Sequence, residues 1–415
     1  MKPVRRIEPT EWMRAGPTRT VVNALSAGGK EIRFVGGCVR DALLDDSSDS
    51  EQRDIDIATP DTPQRVIALL DEAGIKNIPT GLTHGTITAV IGKRHFEITT
   101  LRVDIKAHGR HADVAFTDDW QEDAARRDFT MNALSCTPQG DLYDPCDGIQ
   151  DLKAGRVRFV GDAERRIEED HLRLLRFFRF HALYGKGAPD SAGLAAAAAW
   201  AKSLAKLSGE RIQREMLKLL AAPDPAAAID IMAESGVLAE VVPGVPDTTV
   251  LRGLQPIEAE ADPMRRLAAL MCPSDNAAAA NAVAAHWKLS NGDHDRLAAL
   301  LTPPASMSAD MDRPGLRRAL YADGSERVVD WLMLAWAGQA GGADAFRPMI
   351  EEATQWRPVT LPVKGADVLT LGIASGPEVG KILAAVENWW VAEDFAPTRD
   401  DCLEKLHLVA ASRGS

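Results

Sequence analysis

The residues best suited to chemistry in this chain fall in short stretches between positions 36 and 180. Asp54-Ile55-Asp56-Ile57 alternates acid with β-branched apolar residue. In a strand, alternate residues share a face. Ile55 and Ile57 would then point to a core while Asp54 and Asp56 point together to the other side. Two carboxylates side by side repel unless a cation lies between them. Mg2+ suits that place, because it takes carboxylate oxygens together with substrate phosphates. Two solvent-facing acids on an edge strand would give the same pattern. Glu97, in Phe96-Glu97-Ile98-Thr99, alternates in the same way. It would supply a third carboxylate from an adjacent strand, or be an ordinary exposed glutamate.

Three further stretches could handle an anion or a base. In Gly36-Gly37-Cys38-Val39-Arg40-Asp41 a glycine pair at a strand-to-helix turn lets backbone N–H groups approach a phosphate, with Arg40 in the first turn. A plain tight turn reads identically. In Asp123 to Thr130, Arg127 could grip a triphosphate with its planar fork, or join a surface ion-pair cluster. Glu169-Asp170-His171-Leu172-Arg173-Leu174-Leu175-Arg176, followed by Arg179, predicts one helix. Asp170, Arg173 and Arg176 would form its polar stripe, with Arg179 starting to turn away, and Leu172, Leu175 and Phe178 its core face. An Asp–Arg pair three apart is either an ion pair or a reader of base edges. Cytosine and adenine both present an amino donor beside a ring-nitrogen acceptor; uracil and guanine reverse that order. A carboxylate with a guanidinium therefore suits C and A and penalises U and G.

The elements that must position these residues follow from pattern. Glu31 to Val35 predicts a strand, and Val39 to Leu44 a helix. Asp54 to Ala58 predicts another strand. Asp61 to Ala73 predicts a helix capped by Thr62, opened by Pro63 and stopped by Gly74. Thr86 to Ile91 and Phe96 to Arg102 predict a hairpin turning at Gly92-Lys93. From about residue 164 the pattern is helical and rich in Ala and Leu, with Pro-rich breaks at 243–246, 303–304 and 358–362. The expected fold class is α+β: a head with a mixed sheet and helices over 25–150, a helical neck over 151–245, and a helical body and tail over 246–415.

Composition narrows the classes further. The 415 residues are 45% hydrophobic, enough for two to four packed units. No stretch approaches 18 apolar residues, so no membrane span is expected, and the N-terminus has no apolar run of signal-peptide type. A cytoplasmic protein is the expectation. Cys38, Cys136, Cys146, Cys272 and Cys402 are scattered without C-x-x-C spacing, so free thiols fit better than disulfides or zinc. A net charge of −12 does not advertise a nucleic-acid binder, but RNA needs only a local basic surface. Residues 153–180 hold eight Lys/Arg against five Asp/Glu, which on charge alone reads as a salt-bridged helix face.

Taken in order, these stretches resemble the class II tRNA nucleotidyltransferase and bacterial poly(A) polymerase family of the DNA polymerase beta superfamily. The likeness rests on GG-x-VRD at 36–41, D-x-D at 54–56, RRD-F-T-x-N from Arg126 to Asn132, D-P-x-x-G from Asp144 to Gly148, and ED-x-x-R-x-x-R from Glu169. A further element runs from Glu210-Arg211-Ile212 to Lys218-Leu219-Leu220, and the resemblance spans about residues 30–245. It implies addition of nucleotides to an RNA 3′ end, CCA to tRNA from CTP and ATP, with pyrophosphate leaving. Poly(A), A-only or CC-only addition and a catalytically decayed RNA binder are the alternatives. By the same resemblance Asp54 and Asp56 bind Mg2+; Gly37 with its neighbour Gly36, Arg40 and Arg127 hold the nucleotide's phosphates or sugar. Asp170 and Arg173 read the base, Arg176 and Arg179 support the site, and Arg102 to Val114 form a flexible loop. Glu97 as a third carboxylate does not come from the family pattern. The partners implied are tRNA, CTP and ATP, with no membrane and no obligate protein partner. Asp45 to Arg53 is an added surface loop, His294-Asp295 a chance dipeptide, and Lys364 to Gly380 a tail element that is either an RNA-touching unit or a structural turn.

Overall fold

A computed structural model describes residues 1–44, 54–108, 111–244, 246–272, 276–339 and 343–413. Asp45 to Arg53 therefore lies outside the described residues. The chain divides into two compact units: Met1–Pro243 with Ala285–Lys288, and Gly244–Ala284 with Leu289–Ser415.

The first unit begins with a mixed sheet. Its strands are β1 (Arg5–Arg6), β2 (Arg33–Val35), β3 (Ile55–Thr59), β4 (Lys76–Gly81), β5 (Thr86–Ile91), β6 (Arg94–Thr100), β9 (Ser135–Cys136) and β10 (Asp141–Tyr143), in the order β1-β10-β9-β2-β3-β6-β5-β4. β3 and β6 run parallel at its centre and the other pairs are antiparallel. Period-2 alternation sets the register. Ile55, Ile57, Phe96 and Ile98 are all buried on one face. Asp56 stands opposite Glu97 on the other. A one-residue slip would turn both acids into the core, so the apolar face fixes the acidic one.

Helices Gly16–Ser26, Gly37–Leu43 and Pro63–Glu72 supply the apolar stripes that cover that core. Thr62 caps the last of them by accepting from the Arg65 N–H, and Gly74 follows in the left-handed region at φ 67. Such a cap contributes about 1 kcal/mol. Residues before 25, which carry no chemistry, contribute β1, Trp12 and Val21 to the same layers. Truncating a buried ring such as Phe34 or Phe96 would cost about 3–5 kcal/mol.

The segment Arg102 to Val114, expected as a loop, is instead mostly a two-stranded ribbon of β7 (Arg102–His108) and β8 (His111–Phe116). The alternation of Val103, Ile105 and Ala107 was there to be read as a strand. Among the described residues every regular element after Tyr143 is helical. The helix expected to run unbroken through Glu169 and Arg176 is two helices, Ala163–Glu169 and Leu172–Tyr184. Between them Asp170 is extended, at φ −152 and ψ 107. The second helix buries Leu174, Leu175, Phe177 and Phe178, while Leu172, expected in the core, stays half-buried.

The second unit is helical in all its described elements. One apolar cluster gathers Leu316, Leu332 and Phe346; another gathers Val368, Ile382, Trp390 and Leu406. In the tail element, Asp367 accepts from the Lys364 N–H at 2.7 Å and pairs with Arg399 at 2.6 Å. That capping favours the structural-turn reading of this segment. No helix among the described residues is long and apolar enough to cross a membrane.

Candidate active site

The glycine pair, the D-x-D strand and the arginine-rich helix meet in one cleft of about 860 Å3 in the first unit. Its lining includes Gly36, Gly37, Arg40, Asp54, Asp56, Arg127, Asp170, Arg173, Arg176 and Arg179. Ten of the eleven residues singled out from the sequence are thus brought together. Glu97 is not among the lining residues; it is exposed beside Asp56 on β6.

The glycine turn admits no side chain. Gly36 has φ 70, and a Cβ on it would stand 3.2 Å from an Arg127 Nη and 3.9 Å from an Asp56 oxygen. A side chain here would be strained and would fill the space between a carboxylate and a guanidinium. A second glycine buttresses the site from behind. Asp144 accepts from the N–H groups of Gly148 and Ile149 at 2.7 and 2.9 Å, and a Cβ on Gly148 would lie 2.2 Å from the Thr130 carbonyl oxygen. The D-P-x-x-G motif therefore acts through packing, holding the Arg126–Asn132 turn.

Among the described residues, neither Asp54 nor Asp56 forms an ion pair with a guanidinium or ammonium. The Asp56 carboxyl is pushed up to about 6, first by burial, then by the Glu97 charge and more weakly by Asp54, with Arg127 opposing. A divalent cation would relieve that repulsion. No group of three or more His, Cys, Asp or Glu among the described residues could hold a metal by itself. Oxygens from a substrate would have to complete the coordination, as hard cations allow. The donor set fits a phosphate-bridging divalent ion and does not fit zinc. Cys38 also lines the cleft, but burial and the Asp56 charge push its thiol up to about 12, so it is inert.

Each arginine is held from behind by an acid, the adjacent residue for Arg40 and one on another turn or element for the others. Arg40 donates through Nε and Nη2 to Asp41 at 2.8 and 3.0 Å, and through Nη1 to Asn132 Oδ1 at 2.7 Å. Asp123 takes Arg126 at 2.8 Å and Arg127 at 3.1 Å. Burial works to raise the Asp123 pKa, but Arg127 and then Arg126 hold it below its ordinary value. Asp128 takes Arg176 Nε at 2.8 Å and Asn132 Nδ2 at 3.0 Å. Glu215 takes Arg179 at 2.6 Å. These bonds fix the guanidinium forks before any substrate arrives, which lowers the entropy cost of gripping phosphates.

Asp170 and Arg173, expected to read the base from one helix stripe, are held differently. Asp170 does not pair with Arg173. Its two oxygens accept from Arg211 Nη2 at 3.0 and 2.7 Å, and Oδ1 also takes the Leu172 N–H at 3.1 Å. That local bond competes with helix and breaks it at Asp170. Arg173 donates through Nη1 to the Arg166 carbonyl at 3.1 Å and to Glu169, and through Nη2 to the Arg126 carbonyl at 3.0 Å. Of five guanidinium N–H groups, Nε–H and one on Nη2 have no bond among the described residues. Glu169, Asp123, Asn132, Glu215 and Arg211 are supporting residues that reading the sequence did not single out. Asp123, Asn132 and Glu169 stand inside stretches quoted above, and Arg211 and Glu215 inside the element from Glu210 to Leu220, but none of the five was given a role.

The Poly A polymerase head domain model matches residues 32–158, and a model described as the probable RNA and SrmB-binding site of polymerase A matches residues 190–248. The chain is 34% identical to the mitochondrial CCA tRNA nucleotidyltransferase 1 of Mus musculus, over 91% of this chain and 86% of the mouse protein. It is 33% identical to the CCA-adding enzyme of Geobacillus stearothermophilus, over 88% of this chain and 90% of that one. Its fold superposes on the crystal structure of the Bacillus stearothermophilus CCA-adding enzyme in complex with CTP, with a TM-score of 0.75 and 28% identity, covering 96% of this chain and 99% of that chain. The likeness thus extends through both units, well past the span on which the sequence motifs rest.

Proposed function

We propose that this chain, which belongs to the family of class II CCA-adding enzymes and bacterial poly(A) polymerases, completes the 3′ end of tRNA. It adds C, C and A from CTP and ATP and releases pyrophosphate. The observation that carries this reading is the meeting, in one cleft, of Asp54 and Asp56, which have no cationic partner among the described residues, with Asp170 and Arg173, whose acceptor and donor groups would suit cytosine and adenine. The whole-chain likeness to CCA-adding relatives favours CCA over poly(A) addition.

Asp54 and Asp56 would hold Mg2+. The ion, when bound, favours the ionised 3′-hydroxyl and neutralises charge on the leaving pyrophosphate. The remaining work falls to the chain's own residues. Arg40, Arg127, Arg176 and Arg179, fixed by their rear acids, receive the triphosphate. Asp170 accepts from the exocyclic amino group of C or A. Arg173 donates its remaining N–H groups to the adjacent ring nitrogen. Uracil or guanine would face a carbonyl against the carboxylate and an N–H against the guanidinium, leaving buried polar groups unmet. Because Arg211 and Glu169 anchor this pair from the protein side, the protein itself serves as the template.

The five free cysteines suit a reducing compartment, and we assign the cytoplasm, which cell fractionation tests. RNA binding should weaken with salt as lysine and arginine contacts to the backbone are screened. The test of function is an addition assay with purified protein, Mg2+ and a tRNA lacking its CCA, given CTP, ATP or both, with 3′-end sequencing. Ends that stop at CCA support the proposal. Long A tails move the chain to the poly(A) branch. RNA binding without addition would identify a decayed enzyme.

A further inference from the structure

We propose that Phe180 is a positioning residue for the nucleotide's triphosphate, its ring setting the spacing of Arg40, Arg176 and Arg179. This rests on the phosphate-binding reading of those arginines given above. The three guanidinium carbons lie 5.3, 5.2 and 4.7 Å from the ring centre, and all four residues line the cleft. Arg40 comes from the Gly37–Leu43 helix; the other two come from the Leu172–Tyr184 helix that carries Phe180 itself. One ring thus joins cations from two elements.

The ring is itself fixed. Phe180 is buried, its centre 4.9 Å from that of Phe129 and 5.5 Å from that of Tyr184. Tyr184 in turn takes the Arg40 guanidinium at 4.3 Å from its ring centre. The acids behind the arginines cannot do the same job. Asp41, Asp128 and Glu215 each tie one of the three from a separate position, so none of them bridges the set. A carboxylate in place of Phe180 would bridge them, but its full charge would compete with the incoming phosphates. An aliphatic residue would leave the three guanidinium groups, each tied to its own acid, without a partner common to all of them. An aromatic face offers partial negative charge without occupying the N–H groups that a phosphate needs.

The test replaces Phe180 in the full-length chain with a series of increasingly fluorinated phenylalanines, which drains the ring's negative face at nearly constant shape. KM for CTP and ATP, kcat and thermal unfolding are read for each member. KM should climb stepwise, by about tenfold at full fluorination, with kcat and the unfolding temperature nearly unchanged. A flat KM across the series overturns the proposal, since ring packing would then suffice. Phe180→Leu would raise KM as well, but with lost stability, which is why the series decides. Arg176→Ala is measured beside it. If that change leaves KM untouched, the phosphate-binding reading has failed and the proposal falls with it. If it raises KM while fluorination does not, only the role of the ring is lost.

Discussion

Around Asp330 in the helical second unit, arginines and carboxylates close on one another; around Asp56 in the cleft they do not. Asp330 takes Arg265 at 2.7 Å and Arg296 at 2.9 Å, while Asp262 takes Arg296 at 2.6 Å. Glu258, its side chain fully buried, takes Arg266 at 2.7 Å and Arg265 at 3.2 Å. Every acid of that cluster has a guanidinium, and the charges serve packing. In the cleft, among the described residues, Asp54 and Asp56 have no such partner. Arginines there are held from the rear, yet Asp56 carries the repulsion of Glu97 and, more weakly, of Asp54, at a turn where Gly36 and Arg127 stand close to it. The same residue types thus make a closed cluster in one place and an unmet electrostatic demand in the other. Unmet demand marks the place where a ligand belongs.

The sharpest way to break this contrast is to remove one of the unpaired acids. Asp54→Ala should lower CMP and AMP incorporation by about a thousandfold or more while leaving RNA binding by gel shift within a few-fold. Surviving activity would sink the metal assignment. The closed cluster should respond in the opposite way. Asp330→Ala leaves Arg265 with Glu258 and Arg296 with Asp262 but removes one bond from each, and should cost about 1–3 kcal/mol in urea unfolding, with nucleotide KM unchanged in the protein that remains folded. A change in KM without lost stability would erase the distinction.

Arg173→Ala sharpens the contrast within the cleft. Selectivity for CTP and ATP over UTP and GTP should fall by roughly 10- to 100-fold, read as kcat/KM ratios. Unchanged ratios would reduce Arg173 to a strut between two backbone carbonyls. The smallest effect concerns Asp56 and Glu97. With the Asp56 carboxyl raised to about 6, protonation competes with the cation below that pH. The Mg2+ concentration for half-maximal incorporation should rise about tenfold per pH unit below 6. For stability of the metal-free protein the sign is reversed. A raised folded-state carboxyl favours the folded form fully below its unfolded value and loses that contribution as pH rises through about 6. Glu97→Gln removes one of the raising charges, so the midpoint should move down while kcat at pH 8 changes less than about threefold. A far larger loss of kcat would make Glu97 a ligand after all.

Much of this was legible beforehand. Alternation in β3 and β6 placed Asp56 beside Glu97, because an apolar face buried on one side leaves its alternates together on the other. The Thr62 cap, the Gly74 stop and the hairpin turn at Gly92 were equally local and equally readable. The misreadings were also physical. The 163–184 stretch has unbroken helical periodicity, but Asp170 bonds its own neighbour's N–H and an arginine 41 residues away. Arg102 to Val114 was assigned from resemblance as a loop, although its own alternation makes a ribbon.

By itself, then, the sequence determined which side chains could bind a cation, a phosphate or a base, since those capacities reside in single residues and in spacings within one element. Tertiary structure alone decided who holds whom. Arg211 on Asp170, Glu215 on Arg179, Asp128 on Arg176 and Phe180 beneath the Arg40 guanidinium join positions 36 to 140 residues apart on separate elements. Such partners obey no local period, because a salt bridge or a ring contact depends on distance in space, and only the packed fold converts one into the other.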